Sequence, residues 1–335
     1  MKKPVFVTGV AGLLGSHTAE ELVKRGYEVR GIDNLLGGYK DNIPEGIEYR
    51  TADCREMSDY ADMLDDVGVV YHCAAAPYEG LSVFSPYLVH EHTCSSTIAV
   101  LSAAVSAGAN RFVYCSSMAR YGAGSPPFTE DLTPAPVDPY GIAKYAAELT
   151  IRSLCEEHGM EFNIAVPHNV IGPRQRFDDP YRNVAAIMIN RMLRGLPPVI
   201  YGDGSQRRCF SYVSDVVPSL IELGMNEGIR GEVVNVGPDE NPVTILELAR
   251  TIADVLDVPC EPIFVPGRPL EVHQATCSSD KARKLLGYET QVGLREAVSA
   301  MVEWISDQGP REFDYHLPLE IVSARTPVTW TERIL

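Results

Sequence analysis

Among the 335 residues there is no run of the roughly 18 consecutive apolar side chains that a membrane-spanning helix needs. An excess of positive charge is missing too: 29 Lys and Arg stand against 45 Asp and Glu, a net charge of −16. A field of that sign repels phosphate backbones and anionic membranes, which excludes broad nucleic-acid or membrane binding. An anionic ligand must then be met by local cations inside its pocket. The eight cysteines contain no CxxC pair and sit mostly in apolar runs, where a thiol behaves as a small hydrophobe. The N-terminus enters a strand at once, with no apolar leader followed by a small-residue cleavage site, so a reduced cytoplasmic protein is expected. Internal repeats and low-complexity tracts are absent as well.

What is present is alternation. Apolar, β-branched runs at residues 4–8, 27–32, 67–72, 111–116 and 162–166 are separated by helical patterns at 12–25, 87–107 and 140–158. Continuous apolar strands separated by helices predict an α/β fold, a Rossmann-type doubly wound parallel sheet covered on both faces. After Pro167 the rhythm loosens at Gly172-Pro173, Pro197-Pro198, Gly237-Pro238 and Pro266-Gly267, with helices surviving at 183–194, 216–225, 245–256, 280–286 and 294–305. The expected division is a dinucleotide-binding domain over 1–167 and a smaller mixed lobe over 168–335. Some segments of that lobe return to the main body, and 306–335 forms a tail without periodicity.

The first strand runs into Gly9-Val10-Ala11-Gly12-Leu13-Leu14-Gly15 and a helix. Glycines between strand and helix let the backbone approach a pyrophosphate, while the helix N-terminus offers unpaired N–H groups and a positive dipole. Asp33 ends the second strand, where a carboxylate accepts both hydroxyls of an adenosine ribose and repels a 2′-phosphate, so the cofactor is read as NAD rather than NADP. Asp53 is placed to meet the adenine amino group. Asn34, Cys54 and Ala74 complete the expected cofactor lining, together with Tyr140 and Lys144.

Tyr140 and Lys144 open a helix at i and i+4, on one face and one turn apart. A free phenol titrates near ~10, so service as a base near neutrality needs roughly 4 kcal/mol of help. An ammonium about 4 Å away, at an effective dielectric of ~20, would supply about that much. Ser117 lies at the C-terminal edge of a strand, where ligands bind in such sheets, and would bridge Tyr140 and a substrate alcohol.

With the glycine turn, Ser117, Tyr140 and Lys144 in this order, the chain resembles the extended short-chain dehydrogenase/reductases, specifically the NAD-dependent sugar-nucleotide epimerase/dehydratase branch, over roughly residues 4–305. The resemblance implies a nucleotide-sugar substrate, most simply a UDP-sugar, and a homodimer built on the helices at 87–107 and 140–158. It implies substrate contacts from Ser117, Met118 and Asn169, and diphosphate contacts from Arg208 and Arg268. Family dehydratases and decarboxylases resemble one another in carrying Asp-Glu or Ser-Glu after the Ser/Thr; Met118 and Ala119 stand there instead. Neither moves a proton, so the expectation is C4 epimerisation of a UDP-hexose through a 4-keto intermediate. The alternatives are a dehydratase or C3/C5 epimerase whose missing acid comes from Glu130, Asp131 or Cys209, and an NAD-binding regulator without catalysis. Arg120 departs from the family pattern and is read as solvent-facing, with contact to an acidic sugar as the second possibility. His90, His92 and Cys94 do not share one helix face, so no metal site is expected.

Overall fold

The computed structural model describes residues 2–122 and 124–335. Its strands are β1 (Val5–Thr8), β2 (Val29–Asp33), β3 (Glu48–Thr51), β4 (Val69–His72), β5 (Arg111–Cys115), β6 (Glu161–Pro167) and β7 (Val170–Ile171). Beyond them come β8 (Val199–Tyr201), β9 (Arg207–Arg208), β10 (Ser211–Tyr212), β11 (Val233–Val236), β12 (Val243–Thr244), β13 (Ile263–Val265) and β14 (Gln274–Ala275). The first half carries helices α1 (Leu13–Lys24), α2 (Glu79–Ser82), α3 (Pro86–His90), α4 (Ser96–Ser106) and α5 (Pro139–His158). The second carries α6 (Val184–Leu193), α7 (Val213–Met225), α8 (Ile245–Leu256), α9 (Asp280–Leu286), α10 (Leu294–Gln308) and the single-turn α11 (Val328–Thr331).

Seven parallel strands form the main sheet in the order β11-β6-β5-β4-β1-β2-β3. Alternation along each strand divides the core into two faces. Phe6, Ile32, Phe112 and Tyr114 point to the side covered by Val100 and Leu101 of α4 and Ala143 and Ile151 of α5. Val5, Val7, Val29 and Val113 point to the side covered by Leu22 of α1 and Val216 and Leu220 of α7. Each fully buried Leu or Phe contributes about 2–3 kcal/mol, and both faces are filled this way. Strand order reverses between β1 and β4, and such a reversal opens a crevice at the carboxyl ends of the strands.

Local signals set α5 where the chemistry needs it. Asp138 accepts a hydrogen bond from the Gly141 amide, Pro139 occupies the first turn, and Gly159 in the left-handed region closes the helix. Tyr140 therefore sits in the first turn, against the sheet edge. Between α3 and α4 the helix continues through a π turn at Glu91–Ser95.

The second lobe packs α6, α8 and α10 around Phe177, Met188, Ile189, Leu248, Ile252 and Met301. A capping box of Thr244 and Glu247 starts α8. Its sheets are small: β7 with β10, β8 with β13, and β12-β9-β14. β11 joins the main sheet beside β6, and α7 packs on the sheet through Val216 and Leu220.

The tail after α10 straps the two lobes together. Asp314 donates its amide to the Asp178 carbonyl at 2.8 Å, Ser85 Oγ donates to the Pro318 carbonyl at 2.6 Å, and Glu320 accepts from the amides of Tyr87 and Leu88. Helix α11 seats Trp330 against Phe84 and Tyr181, with ring centroids 5.9 and 5.2 Å apart. One helical turn carries no readable period, which is why the sequence shows nothing there.

Candidate active site

A cavity of about 410 Å³ runs along the strand ends, from the glycine turn through Ser117 and Tyr140 to Arg208 and Arg268. A smaller side pocket of about 160 Å³ continues past Ser117 and shares Glu79, Ser117, Asp138, Tyr140, Asn169 and Arg208 with it.

At the first end, Gly9 adopts φ +76°, and a Cβ on Gly15 would fall 2.0 Å from the Gly9 carbonyl oxygen. Any side chain at Gly15 would push the helix off the turn. Gly12 caps α1 without a side-chain partner, so the first amides of the helix, at Leu13, Leu14 and Gly15, face the cavity unpaired in their own helix. Ala74, on the neighbouring strand end, donates its amide to Thr8 Oγ1 at 3.2 Å.

A carboxylate has about four acceptor sites, and counting them separates Asp33 from Asp53. Asp33 accepts from the Leu35 amide at 2.7 Å and the Ala11 amide at 3.0 Å, leaving two sites for a ligand. Burial pushes its pKa up, and those two amides hold it back. Asp53 accepts from the Arg55 amide, twice from the Arg55 guanidinium, and from Asn34 Nδ2. Although burial works against it, these bonds hold Asp53 at about 2. The carboxylate is saturated, so the contact to an adenine amino group anticipated from sequence has no free lone pair. Cys54 is buried beside it and lines the same wall.

Ser117, Tyr140 and Lys144 come together at the middle of the cavity. Ser117 caps a short 3₁₀ turn, its Oγ accepting from the Ala119 amide at 3.2 Å. Lys144 Nζ donates to the Cys115 carbonyl at 2.6 Å and lies 5.9 Å from the Tyr140 ring centroid. Burial pushes Lys144 down to about 8. Burial also pushes the Tyr140 phenol above its ordinary range; the Ser117 hydroxyl opposes this, and the negative charges of Glu79 and Asp138 reinforce it. One of the three Lys144 donors is held by the Cys115 carbonyl, and burial outweighs the groups that lower the phenol.

Two further expectations change. Arg120 is 4% exposed rather than solvent-facing, and its guanidinium pairs at 3.0 Å with the fully buried Glu148, one turn beyond Lys144. Glu148 also accepts a hydrogen bond from Ser116 Oγ, so the pair braces the strand end that presents Ser117. Arg120 thus faces away from the cavity. Cys209 is buried, its thiol directed at the Glu240 carbonyl, and Glu130 accepts from the Asn235 amide; neither they nor Asp131 line the cavity. They do not replace the absent acid.

At the far end, Asn169, held at φ +46°, donates to the Cys209 carbonyl at 3.0 Å and touches the Met118 sulfur at 3.7 Å. Arg208 donates to the carbonyls of Val272 and His273, and Arg268 pairs with Glu271 at 2.8 Å above the Tyr201 ring. Both guanidinium groups line the cavity. Glu79, Arg182 and Leu335 line it too and went unnoticed in the sequence. No spacing rule marks Arg182 or the last residue of a tail; Glu79 follows the β4 strand end by seven residues, and only its placement among apolar neighbours gave a cue.

A doubly wound sheet with a Tyr-x-x-x-Lys helix beside a serine at the strand ends defines the short-chain dehydrogenase/reductase class. The family model described as NAD dependent epimerase/dehydratase matches residues 5–237, and the chain belongs to that family. It is 30% identical to a UDP-N-acetyl-alpha-D-glucosaminuronate decarboxylase of Bacillus cytotoxicus, over 92% of this chain and 99% of the relative. It is 31% identical to a UDP-glucose 4-epimerase of Mycolicibacterium smegmatis, over 90% and 98%. The solved UDP-glucose 4-epimerase of Thermotoga maritima with UDP-glucose superposes with a TM-score of 0.84 at 30% identity, over 91% of this chain and 99% of that one.

Proposed function

We propose that this NAD-dependent enzyme epimerises a UDP-hexose at C4. The cradle fits NAD: the helix amides at Leu13, Leu14 and Gly15 would hold its diphosphate, and the two free acceptor sites of Asp33 its adenosine ribose. Tyr140 and Lys144 would lie at its nicotinamide end. When bound, NAD supplies a reversible hydride acceptor. Tyr140 removes the C4 hydroxyl proton through the Ser117 hydroxyl and returns it after the keto sugar has turned over. Because burial raises the phenol, its service as a base needs positive charge beside it, which oxidised NAD would supply. Arg208 and Arg268 exchange their present carbonyl and Glu271 partners for the substrate diphosphate.

The observation that carries this reading is the pairing of an intact Ser117, Tyr140 and Lys144 with Met118 and Ala119, where a dehydratase or decarboxylase needs a proton-moving side chain. Incubation with UDP-glucose or UDP-N-acetylglucosamine, followed by proton NMR, should show the C4 epimer. A 4-keto-6-deoxy product without epimer would sink the proposal. Ile142 and Leu149 of α5 and Ile98 of α4 are outwardly exposed, which supports a homodimer across these helices, whereas Leu101 serves the subunit's own core. Sedimentation at micromolar concentration should give twice 36.8 kDa.

A further inference from the structure

The sugar end of the cavity is distinguished by the sign of its charge. Glu79, in the first turn of α2, lines both the main cavity and the side pocket beyond Ser117. Glu79 is exposed, and it forms part of the wall of both pockets. Its carboxylate makes no hydrogen bond or ion pair with any described residue, while most acidic groups nearby are engaged. Asp138 caps α5 through the Gly141 amide, and Glu271 holds Arg268. The segment that carries Glu79 is wedged in place: a Cβ on Gly80 would come 3.1 Å from Arg268 Nη1 and 3.6 Å from the Trp330 ring.

Cations are scarce at this end. Arg120, the one arginine near Ser117 in sequence, turns its guanidinium to Glu148. Arg208 and Arg268 are the cations whose charge acts on Glu79, and a substrate diphosphate would neutralise both. Once the nucleotide is seated, Glu79 and Asp138 are the carboxylates at this end of the pocket without a cationic partner among the described residues, and Asp138 is held by the Gly141 amide. The chain is equally similar to enzymes of uronic acids and of neutral hexoses, so the pocket itself has to discriminate.

We propose that Glu79 is a specificity-determining residue of the sugar subsite, accepting hydrogen bonds from the hydroxyls of an uncharged hexose and excluding uronic acids. The inference rests on the UDP-sugar reading above. A carboxylate accepts from hydroxyl donors and repels a second carboxylate.

The test compares UDP-glucose with UDP-glucuronate in the wild type, Glu79→Gln and Glu79→Asp, with NAD content and UDP binding measured alongside. Wild type should favour UDP-glucose in kcat/KM by roughly 100-fold or more, and Glu79→Gln should cut that preference by about 10-fold, chiefly through a lower KM for the uronate. Glu79→Asp keeps the charge and should keep the preference. Equal use of both sugars by the wild type, or an unchanged ratio in Glu79→Gln, overturns the role of Glu79 alone; the wild-type ratio serves even where a variant fails to fold. Absence of any UDP-sugar binding overturns the functional reading and this inference with it. The same reactions run in D2O add a further check. Deuterium at C3 or C5 of the product that disappears in Glu79→Gln would make Glu79 a proton-transfer group and overturn the inference.

Discussion

The two ends of the cavity are built in different ways. The cofactor end uses one strand, one turn and one helix contiguous in sequence, with Asp33 arriving by the register of β2 beside β1. The sugar end is assembled from Glu79, Asn169, Arg208 and Arg268, carried on a one-turn helix, a short strand and loops far apart in the chain. A site made from regular elements inherits its geometry from backbone hydrogen bonding; one made from loops depends on packing between lobes. Ser117, Tyr140 and Lys144 sit at the joint.

The largest effect should come at that joint. Tyr140→Phe removes the proton acceptor and should lower kcat by roughly 10³-fold, with UDP binding retained in calorimetry. An unchanged rate would break the assignment of the chemistry to α5. Next, Arg120→Ala leaves Glu148 buried without its partner and should cost about 4 kcal/mol in denaturant unfolding. The Arg120→Met and Glu148→Met double variant should recover most of that loss, because the defect is the orphaned charge rather than lost volume.

Lys144→Met should separate stability from function. Burial lowers Lys144 from its ordinary 10.5 to about 8, so between those values the unfolded chain holds the extra proton and wild-type stability rises with pH. Below pH 8 the full cost of the buried cation is present. The variant should then be more stable than wild type by about 3 kcal/mol at neutral pH, lose that advantage as pH rises from 8 to 10.5, and be nearly inactive. Thermal unfolding across this range checks the sign. The smallest effect is expected from Arg208→Ala, which should raise KM for the nucleotide sugar by about 10- to 100-fold while NAD binding stays unchanged. A matching loss of NAD binding would mean that the two ends are not independent.

The contrast also explains what was legible. Alternation and turn chemistry located β1, β2, β4, β5 and β6 of the main sheet, because a buried parallel strand and its covering helix each write a period into the chain. Gly9, Gly12, Gly15 and Asp33 were readable for the same local reason. Arg120 was not: an arginine beside Ser117 looks solvent-facing until Glu148, 28 positions later, is folded against it. The Asp53 carboxylate looked available until Arg55 and Asn34 filled its four acceptor sites. Cys209 looked like a substitute for a missing acid, yet its thiol meets the Glu240 carbonyl and does not line the cavity.

By itself the sequence determined five strands of the sheet, the glycine cradle, the order of Ser117, Tyr140 and Lys144, and the absence of a proton-moving pair after Ser117. These are properties of neighbours along the chain, and short-range sterics and hydrogen bonding suffice to set them. Only the tertiary structure decided which charges face the sugar. It turned Arg120 inward, left Glu79 open on the cavity, and brought Leu335 to its wall. The reason is that the orientation and titration of a buried charge depend on desolvation and on partners contributed by distant segments, and neither is written locally.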